Sequence, residues 1–234
     1  MKPSLELNNV VLLGRTFEEY TRYFGLQPES WRGKKILDVA SGVSSFCAEA
    51  NAQGLEVTAF DPIYDWTPEE IRVRCEKNLE LVAREIGGVA AYKWDFYKNP
   101  EGMRHYRECA YRAFLLDFAS AKGDRYIAGQ LPLTPFPDKE FALTLVSYLL
   151  FVYEEQLDYE FHRAALAELL RITAGEVRIY PLVNFKAGRA AFVDRVKADP
   201  AFADCEFEEV GTDFEFLRNS NSFLRIQKLN RAAH

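Results

Sequence analysis

The sequence predicts an α/β fold: a doubly wound, mostly parallel sheet that ends in an antiparallel hairpin. Three observations support this prediction. A strand–helix–strand pattern occupies residues 35–60, a helix-rich insertion separates the second strand from the third, and two short strands with a turn signal between them close the chain. A βαβ unit implies parallel strands joined by a right-handed crossover. The strands that follow the insertion should therefore join the same sheet.

The composition is that of a folded globular chain. The sequence has 234 residues, of which 48% are hydrophobic and 27% charged, close to the averages of globular proteins. This length suits one full-sized domain. We expect a single domain over 1–234, with an N-terminal helical segment over 1–33 and a helical insertion over about 65–124. The aromatic content of 14% fits either a thick core or an aromatic-lined pocket.

Charge and residue spacing argue against several function classes. The net charge is −6, and no basic stripe suited to phosphates is present, which disfavours a nucleic-acid partner. No apolar run approaches the ~20 residues that span a bilayer, and no signal-peptide pattern opens the chain. We therefore expect a cytoplasmic protein without a membrane segment. The four cysteines and three histidines form no metal-ligand pattern, so no metal is expected. The oligomeric state is left open.

Local signals place the elements in order. Thr16 is a candidate N-cap, and Glu19 completes a capping box, which predicts a helix over 16–24. Further along, strands are predicted over 35–39, 56–60, 125–128, 141–146, 176–182, 206–211 and 222–228, and helices from 46 to about 53 and over 68–86, 101–121, 154–173 and 188–197.

A candidate ligand site lies where the first two strands end. Small residues over 40–45 let the backbone approach a ligand, and Gly42 permits backbone angles that a Cβ excludes. The following helix directs free N–H groups at this loop. Asp38 adds a negative charge suited to a cationic ligand, directly or through water. Asp61, at the end of the second strand, can accept hydrogen bonds from a ribose diol.

Two nucleotide-type ligands are compatible with this site. A nicotinamide dinucleotide would call for G-x-G-x-x-G, whereas the corresponding residues are Ala40, Gly42 and Ser45. An acid at the strand–loop junction also suits a pyrophosphate poorly. S-adenosylmethionine (SAM), with its sulfonium and amino group, suits Asp38 better.

These residues resemble a known family. Ile36–Phe46, I-L-D-V-A-S-G-V-S-S-F, looks like the first motif of class I SAM-dependent methyltransferases, and Asp61 looks like the ribose-binding acid of that family. The stretch Tyr126–Leu143 is similar to the family's segment around its third strand. The resemblance covers Lys34 to about Leu182. It implies a Rossmann-like, seven-stranded sheet and a transferase that converts SAM to S-adenosylhomocysteine.

The resemblance also implies which residues bind the cofactor. Pro62 and Ile63 should flank the adenine, Leu131 should offer a backbone N–H, and Ser147 with Tyr148 should face the sulfonium and the substrate. The full implied set is Asp38, Ala40, Ser41, Gly42, Phe46, Asp61, Pro62, Ile63, Gln130, Leu131 and Ser147.

The sequence departs from the family pattern at four positions. Ala40 and Ser44 replace glycines, Gln130 replaces the adenine-binding Asp, and Ala142 replaces the Asp of an F-D pair. A degenerate methyltransferase fold that binds a partner without catalysis, or an NAD-type Rossmann enzyme, is therefore the alternative function.

The methyl acceptor is not identified by the sequence. Positioning alone can supply much of the acceleration of methyl transfer, so a dedicated base is optional. Tyr148, Asp95, His105 and Tyr153 are candidate proton acceptors or substrate binders. The alternatives are a helix-surface residue for His105 and a packing residue for Tyr153. The acidic charge, the aromatic content and the insertion favour a small-molecule acceptor. The insertion is interpreted as a cap over the site, with a stabilising decoration as the alternative.

Overall fold

A computed structural model of the chain describes residues 12–229, and within them seven strands form one sheet. The strands are β1 (Lys35–Val39), β2 (Glu56–Phe60), β3 (Tyr126–Ile127), β4 (Phe141–Ser147), β5 (Thr173–Tyr180), β6 (Cys205–Gly211) and β7 (Ser222–Lys228). Their order is β3-β2-β1-β4-β5-β7-β6. The first five pair in parallel, and β7 runs antiparallel to both β5 and β6. The predicted fold class is confirmed.

The central strands are apolar on both sides because helices cover both faces of the sheet. Alternate residues of β1 show this: Ile36 belongs to one buried cluster, whereas Leu37 and Val39 belong to another. Side chains of a strand alternate between faces, so the two clusters lie on opposite sides of the sheet.

Four of the six helices within 12–229 begin at a residue whose side chain caps the first turn. At the first of them, the Thr16 hydroxyl accepts a hydrogen bond from the Glu19 N–H and the Glu19 carboxylate accepts one from the Thr16 N–H, as the capping box predicts. The helices are α1 (Phe17–Tyr23), α2 (Phe46–Ala52), α3 (Pro68–Ile86), α4 (Pro100–Ala121), α5 (Tyr159–Ile172) and α6 (Ala191–Ala198). None of the helices within 12–229 is long and apolar enough to cross a membrane.

The insertion contains both predicted helices. The second, α4, packs on α2 and so takes the place of the crossover helix between β2 and β3. The first, α3, packs on α4 and is the additional element. The aromatic segment 92–97 then contacts the chain between β6 and β7, where Tyr92 bridges to Leu217 and the Lys93 N–H donates to the Phe216 carbonyl over 2.7 Å.

Four predicted boundaries were wrong. Helix α5 begins at Tyr159 and not at 154, because the Asp158 side chain caps it by accepting from the Phe161 N–H, and the preceding residues form turns. Strand β5 spans 173–180, ending before Pro181, which has no N–H to donate. Strand β3 has two residues. Helix α6 begins at Ala191, since residue 189 pairs with Val183.

Candidate functional site

A cavity of about 500 Å³ opens where the parallel strands β1, β2 and β4 end. Ligands of open α/β sheets bind at this edge. Eleven of the predicted site residues line the cavity: Ala40, Ser41, Gly42, Asp61, Pro62, Ile63, Gln130, Leu131, Ser147, Tyr148 and Tyr153. We call the part formed by 40–42, 61–63 and 130–131 the loop wall. The aromatic wall is formed by Tyr92, Tyr148, Tyr153, Phe185 and Phe216.

The loop after β1 adopts left-handed backbone at two positions. Gly42 has φ 55°, and a Cβ built there would meet nothing within 4 Å, so the constraint is conformational. Ala40 has φ 54°, where a glycine would be free of strain. Ser44 does not adopt positive φ, and its hydroxyl accepts from the Arg15 N–H over 3.0 Å. Of the two glycine replacements, only the one at position 40 therefore strains the backbone.

Asp61 ties the ends of β1 and β2 together. Its Oδ2 accepts from the Gly42 N–H over 2.9 Å, and its Oδ1 accepts from the Ile63 N–H over 3.0 Å. Burial raises the pKa of Asp61 to about 6, against the effect of these two hydrogen bonds. Each carboxylate oxygen keeps a further lone pair. The side chain lines the cavity and can accept additional hydrogen bonds from hydroxyl groups of a ligand.

Asp38 is fully buried and does not line the cavity. Its carboxylate accepts from the Tyr20 hydroxyl over 3.0 Å and from the Ser41 hydroxyl over 2.6 Å. Burial raises its pKa to about 7, opposed by those hydrogen bonds and helped by the nearby Asp61. Asp38 can therefore act on a cationic ligand through the field of its charge and through Ser41, which does line the cavity.

Three other predicted residues lie away from the cavity. Phe46 is buried and stacks on Tyr20, with ring centroids 4.3 Å apart, so it supports the loop and does not face a ligand. Asp95 is exposed, and so is His105, whose Nε2 lies 3.6 Å from the Cys109 Sγ. The structure therefore does not bring Asp95 or His105 to the site. Among the described residues, no cluster of three or more His, Cys, Asp or Glu could hold a metal.

The residues after β4 enter the cavity through a sharp backbone turn. Tyr148 has φ 54°, and its N–H donates to the Tyr180 carbonyl over 2.8 Å. Its hydroxyl is buried and makes no hydrogen bond within residues 12–229. The Ser147 hydroxyl lies 2.9 Å from the Tyr23 hydroxyl. Tyr153 packs edge-on against Phe185, with centroids 4.7 Å apart.

Sequence reasoning missed a buried ion-pair cluster beside the cavity. Glu19 is fully buried. The two terminal nitrogens of Arg107, in α4, donate to its carboxylate oxygens over 2.9 and 2.6 Å, and the Tyr97 hydroxyl donates to the same carboxylate. Arg15 lies close by and lines the cavity. The capping box marked Glu19 as a helix-start residue, but no local signal connects it with Arg107, which lies 88 residues away.

The order of the strands and the antiparallel β7 define the chain as a protein of the class I methyltransferase fold. No protein-family model matches the sequence. The chain belongs to the same family as the uncharacterized protein MJ0045 of Methanocaldococcus jannaschii, to which it is 39% identical over 226 residues, 96% of this chain and 99% of that protein.

Solved structures with a similar fold are distant in sequence. A putative SAM-dependent methyltransferase from Methanococcus maripaludis is 12% identical and aligns with 93% of this chain and 84% of its own, with a TM-score of 0.42. A TehB-like SAM-dependent methyltransferase from Corynebacterium glutamicum is 16% identical, with coverages of 85% and 82% and a TM-score of 0.42. Magnesium protoporphyrin IX methyltransferase from Synechocystis PCC 6803, solved with bound SAM, is 9% identical, with coverages of 86% and 72% and a TM-score of 0.42. Similarity at this level does not bear on function.

Proposed function

We propose that the chain is a SAM-dependent methyltransferase that acts on a small-molecule acceptor. The observation that carries the proposal is the position of Asp61 and Gly42, joined by a hydrogen bond in the wall of a cavity of about 500 Å³ at the strand ends. A cavity of this size lies in the range of small-molecule sites, about 300–1,000 Å³.

The chemistry of the loop wall fits SAM. Asp61 offers free lone pairs for the ribose hydroxyls, and the apolar Pro62, Ile63 and Leu131 suit a purine ring. Gln130 is exposed at the cavity and can accept from an exocyclic amino group through its side-chain oxygen. The raised pKa values of Asp38 and Asp61 fit a cationic ligand, because a positive charge nearby favours the ionised carboxylates.

SAM, when bound, supplies an electrophilic methyl group on a sulfonium that leaves as a neutral thioether. The part of the protein is to hold the acceptor in line with that group and to exclude water. The aromatic wall is suited to this task because its rings form a largely apolar surface beside the loop wall.

A thermal-shift and calorimetric panel of SAM, S-adenosylhomocysteine, NAD and NADP tests the proposal. We expect the two adenosyl compounds alone to stabilise the protein, by about 2.7 kcal/mol at a hundredfold excess over Kd. Stabilisation by NAD instead would indicate a dinucleotide enzyme. Stabilisation by none of the four would indicate a degenerate fold that binds no nucleoside.

A matched pair of variants locates the binding. Gln130→Ala should weaken the binding of S-adenosylhomocysteine about fivefold, since a hydrogen bond contributes about 1 kcal/mol. Gln53→Ala removes the same side chain from the exposed end of α2, outside the cavity, and should leave the affinity unchanged. Equal effects of both variants would count against adenine binding at Gln130.

A further inference from the structure

Two buried polar atoms in the cavity have no hydrogen-bond partner within the described residues. They are the Nε of Arg15 and the hydroxyl of Tyr148. Both residues line the cavity, and the Arg15 guanidinium lies 4.4 Å from the centroid of the Tyr148 ring. Buried polar groups are nearly always paired. Two neighbouring unpaired donors in one cavity therefore indicate a ligand that accepts hydrogen bonds.

The charges around Arg15 indicate the sign of the ligand's charge. Glu19 is the acid nearest to it, but the Nε of Arg15 is 3.7 Å from Glu19 Oε1, beyond hydrogen-bond length. Glu19 is already held by both nitrogens of Arg107, by the Tyr97 hydroxyl and by the Thr16 N–H. Two arginines thus share one carboxylate, which leaves one positive charge uncompensated. An anion in the cavity would balance it.

The backbone holds Arg15 in this position. A Cβ on Gly14 would lie 2.1 Å from the Val43 carbonyl oxygen, so only glycine lets this segment pack on the loop after β1. The Arg15 carbonyl then accepts from the Ser45 N–H over 2.9 Å. One terminal nitrogen of the guanidinium donates to the Leu13 carbonyl over 2.5 Å. The side chain is held at the cavity wall and is preorganised for a planar anion.

The surroundings of Arg15 restrict the rest of the ligand. Tyr148 belongs to the aromatic wall, and the rings of that wall pack against one another or against neighbouring aromatics, as Tyr92 does on Phe216 with centroids 4.7 Å apart. A carboxylate forms the fork-to-fork pair that guanidinium prefers, and Tyr148 can donate to the same group. Aromatic rings offer a flat apolar surface to the body of the molecule.

We propose that Arg15 and Tyr148 bind a carboxylate on the methyl acceptor, which is therefore a small aromatic or apolar acid. This inference rests on the proposed function, since it assigns the acceptor of the same site. The carboxylate of SAM itself is the other source of this chemistry, and the experiment distinguishes the two.

The experiment measures binding to the wild-type protein saturated with S-adenosylhomocysteine. The probes are benzoate, phenylacetate and 2-naphthoate, each beside its uncharged amide. We expect at least one acid to bind about tenfold or more tightly than its amide, since hydrogen bonds to charged groups are the strong ones. Arg15→Gln should abolish that preference, and Tyr148→Phe should reduce it. Arg15→Lys, which keeps the charge but loses the fork, should retain part of it.

Matched variants outside the cavity serve as controls. Arg22→Gln removes a guanidinium from the exposed face of α1. Tyr159→Phe removes a hydroxyl that donates to Asp199. Both variants should leave the preference for acids over amides unchanged. Affinity for S-adenosylhomocysteine should stay the same in Arg15→Gln. A loss of that affinity, with affinity for 5′-methylthioadenosine retained, would overturn the inference and assign Arg15 to the cofactor carboxylate. A panel in which no acid exceeds its amide would overturn it as well.

Failure of the inference can be told apart from failure of the proposed function. If the wild-type protein does not bind S-adenosylhomocysteine, the proposed function fails before any acid is tested. If it binds S-adenosylhomocysteine but shows no preference for acids, the methyltransferase proposal stands and only the acceptor class is wrong.

Discussion

Ala40 carries backbone strain in the loop after β1. It adopts φ 54°, a region that costs an L-residue about 1–2 kcal/mol. We expect Ala40→Gly to raise the free energy of unfolding by about 1 kcal/mol, measured by urea denaturation. Ala48→Gly, within α2, should lower it by about 1 kcal/mol. A destabilising Ala40→Gly would show that the side chain contributes more to packing than the left-handed backbone costs.

The two buried carboxyls of the site should make ligand binding depend on pH. The pKa is raised to about 7 for Asp38 and to about 6 for Asp61, so both carry protons for part of the time near pH 6.5. A cationic ligand favours their ionised forms and expels those protons. We expect SAM to bind with release of roughly half a proton or more at pH 6.5 and to bind more tightly at pH 8.

Calorimetry in buffers of different ionisation enthalpy counts the protons. S-adenosylhomocysteine, which lacks the sulfonium charge, should release fewer protons on binding. Proton uptake on SAM binding would contradict the assignment of the two carboxyls to a site for a cationic ligand.

The same pKa values affect the free energy of unfolding without ligand. A raised carboxyl pKa favours the folded state at low pH, and this contribution is lost as pH rises from about 4 towards 7.

A buried ion pair joins α1 and α4. Arg107 holds Glu19 with two hydrogen bonds, and both side chains are almost completely buried. We expect Arg107→Met to lower the free energy of unfolding by about 3–5 kcal/mol, because it leaves a buried charge without its main partner. The measurement is urea denaturation at pH 7.

Arg15→Gln is the matched control for this pair. Arg15 makes no hydrogen bond to Glu19 and meets it only as an ion pair at 3.7 Å. Its removal should therefore change the free energy of unfolding by less than about 1 kcal/mol. Equal losses in the two variants would mean that Arg15 is a structural partner of Glu19, and this would weaken its assignment to a ligand.

The position of the insertion in the whole molecule supports its interpretation as a cap. Trp66, Arg74, Val82 and Ile86 line the cavity together with the loop wall. If the insertion closes over a ligand, S-adenosylhomocysteine should slow amide hydrogen exchange about tenfold or more within 66–92 as well as within 40–45. Edge strand β6, at the far side of the sheet, should exchange at an unchanged rate. Protection confined to the loops would leave the insertion as a stabilising decoration.

The sequence by itself determined the sheet and the loop of the site. Short apolar runs, caps and the small-residue loop are local signals, so β1, β2, α3 and the capping box at Thr16 could be predicted almost to the residue. Boundaries were missed where long-range pairing overrode local preference, as at α6, whose predicted first turn is held by the bridge between Val183 and Arg189. The resemblance of Asp38 and Asp61 to a known motif came from the same local information.

Only the tertiary structure decided which side chains meet. It buried Asp38 behind Ser41, left Asp95 and His105 outside the cavity, and brought Arg15, Glu19 and Arg107 together. These outcomes depend on which helix face packs on which neighbour, a choice made by contacts between residues far apart in the chain. Local sequence carries no record of such contacts. The loop that holds a cofactor could therefore be predicted from the sequence, whereas the residues that would select an acceptor became visible only in the folded chain.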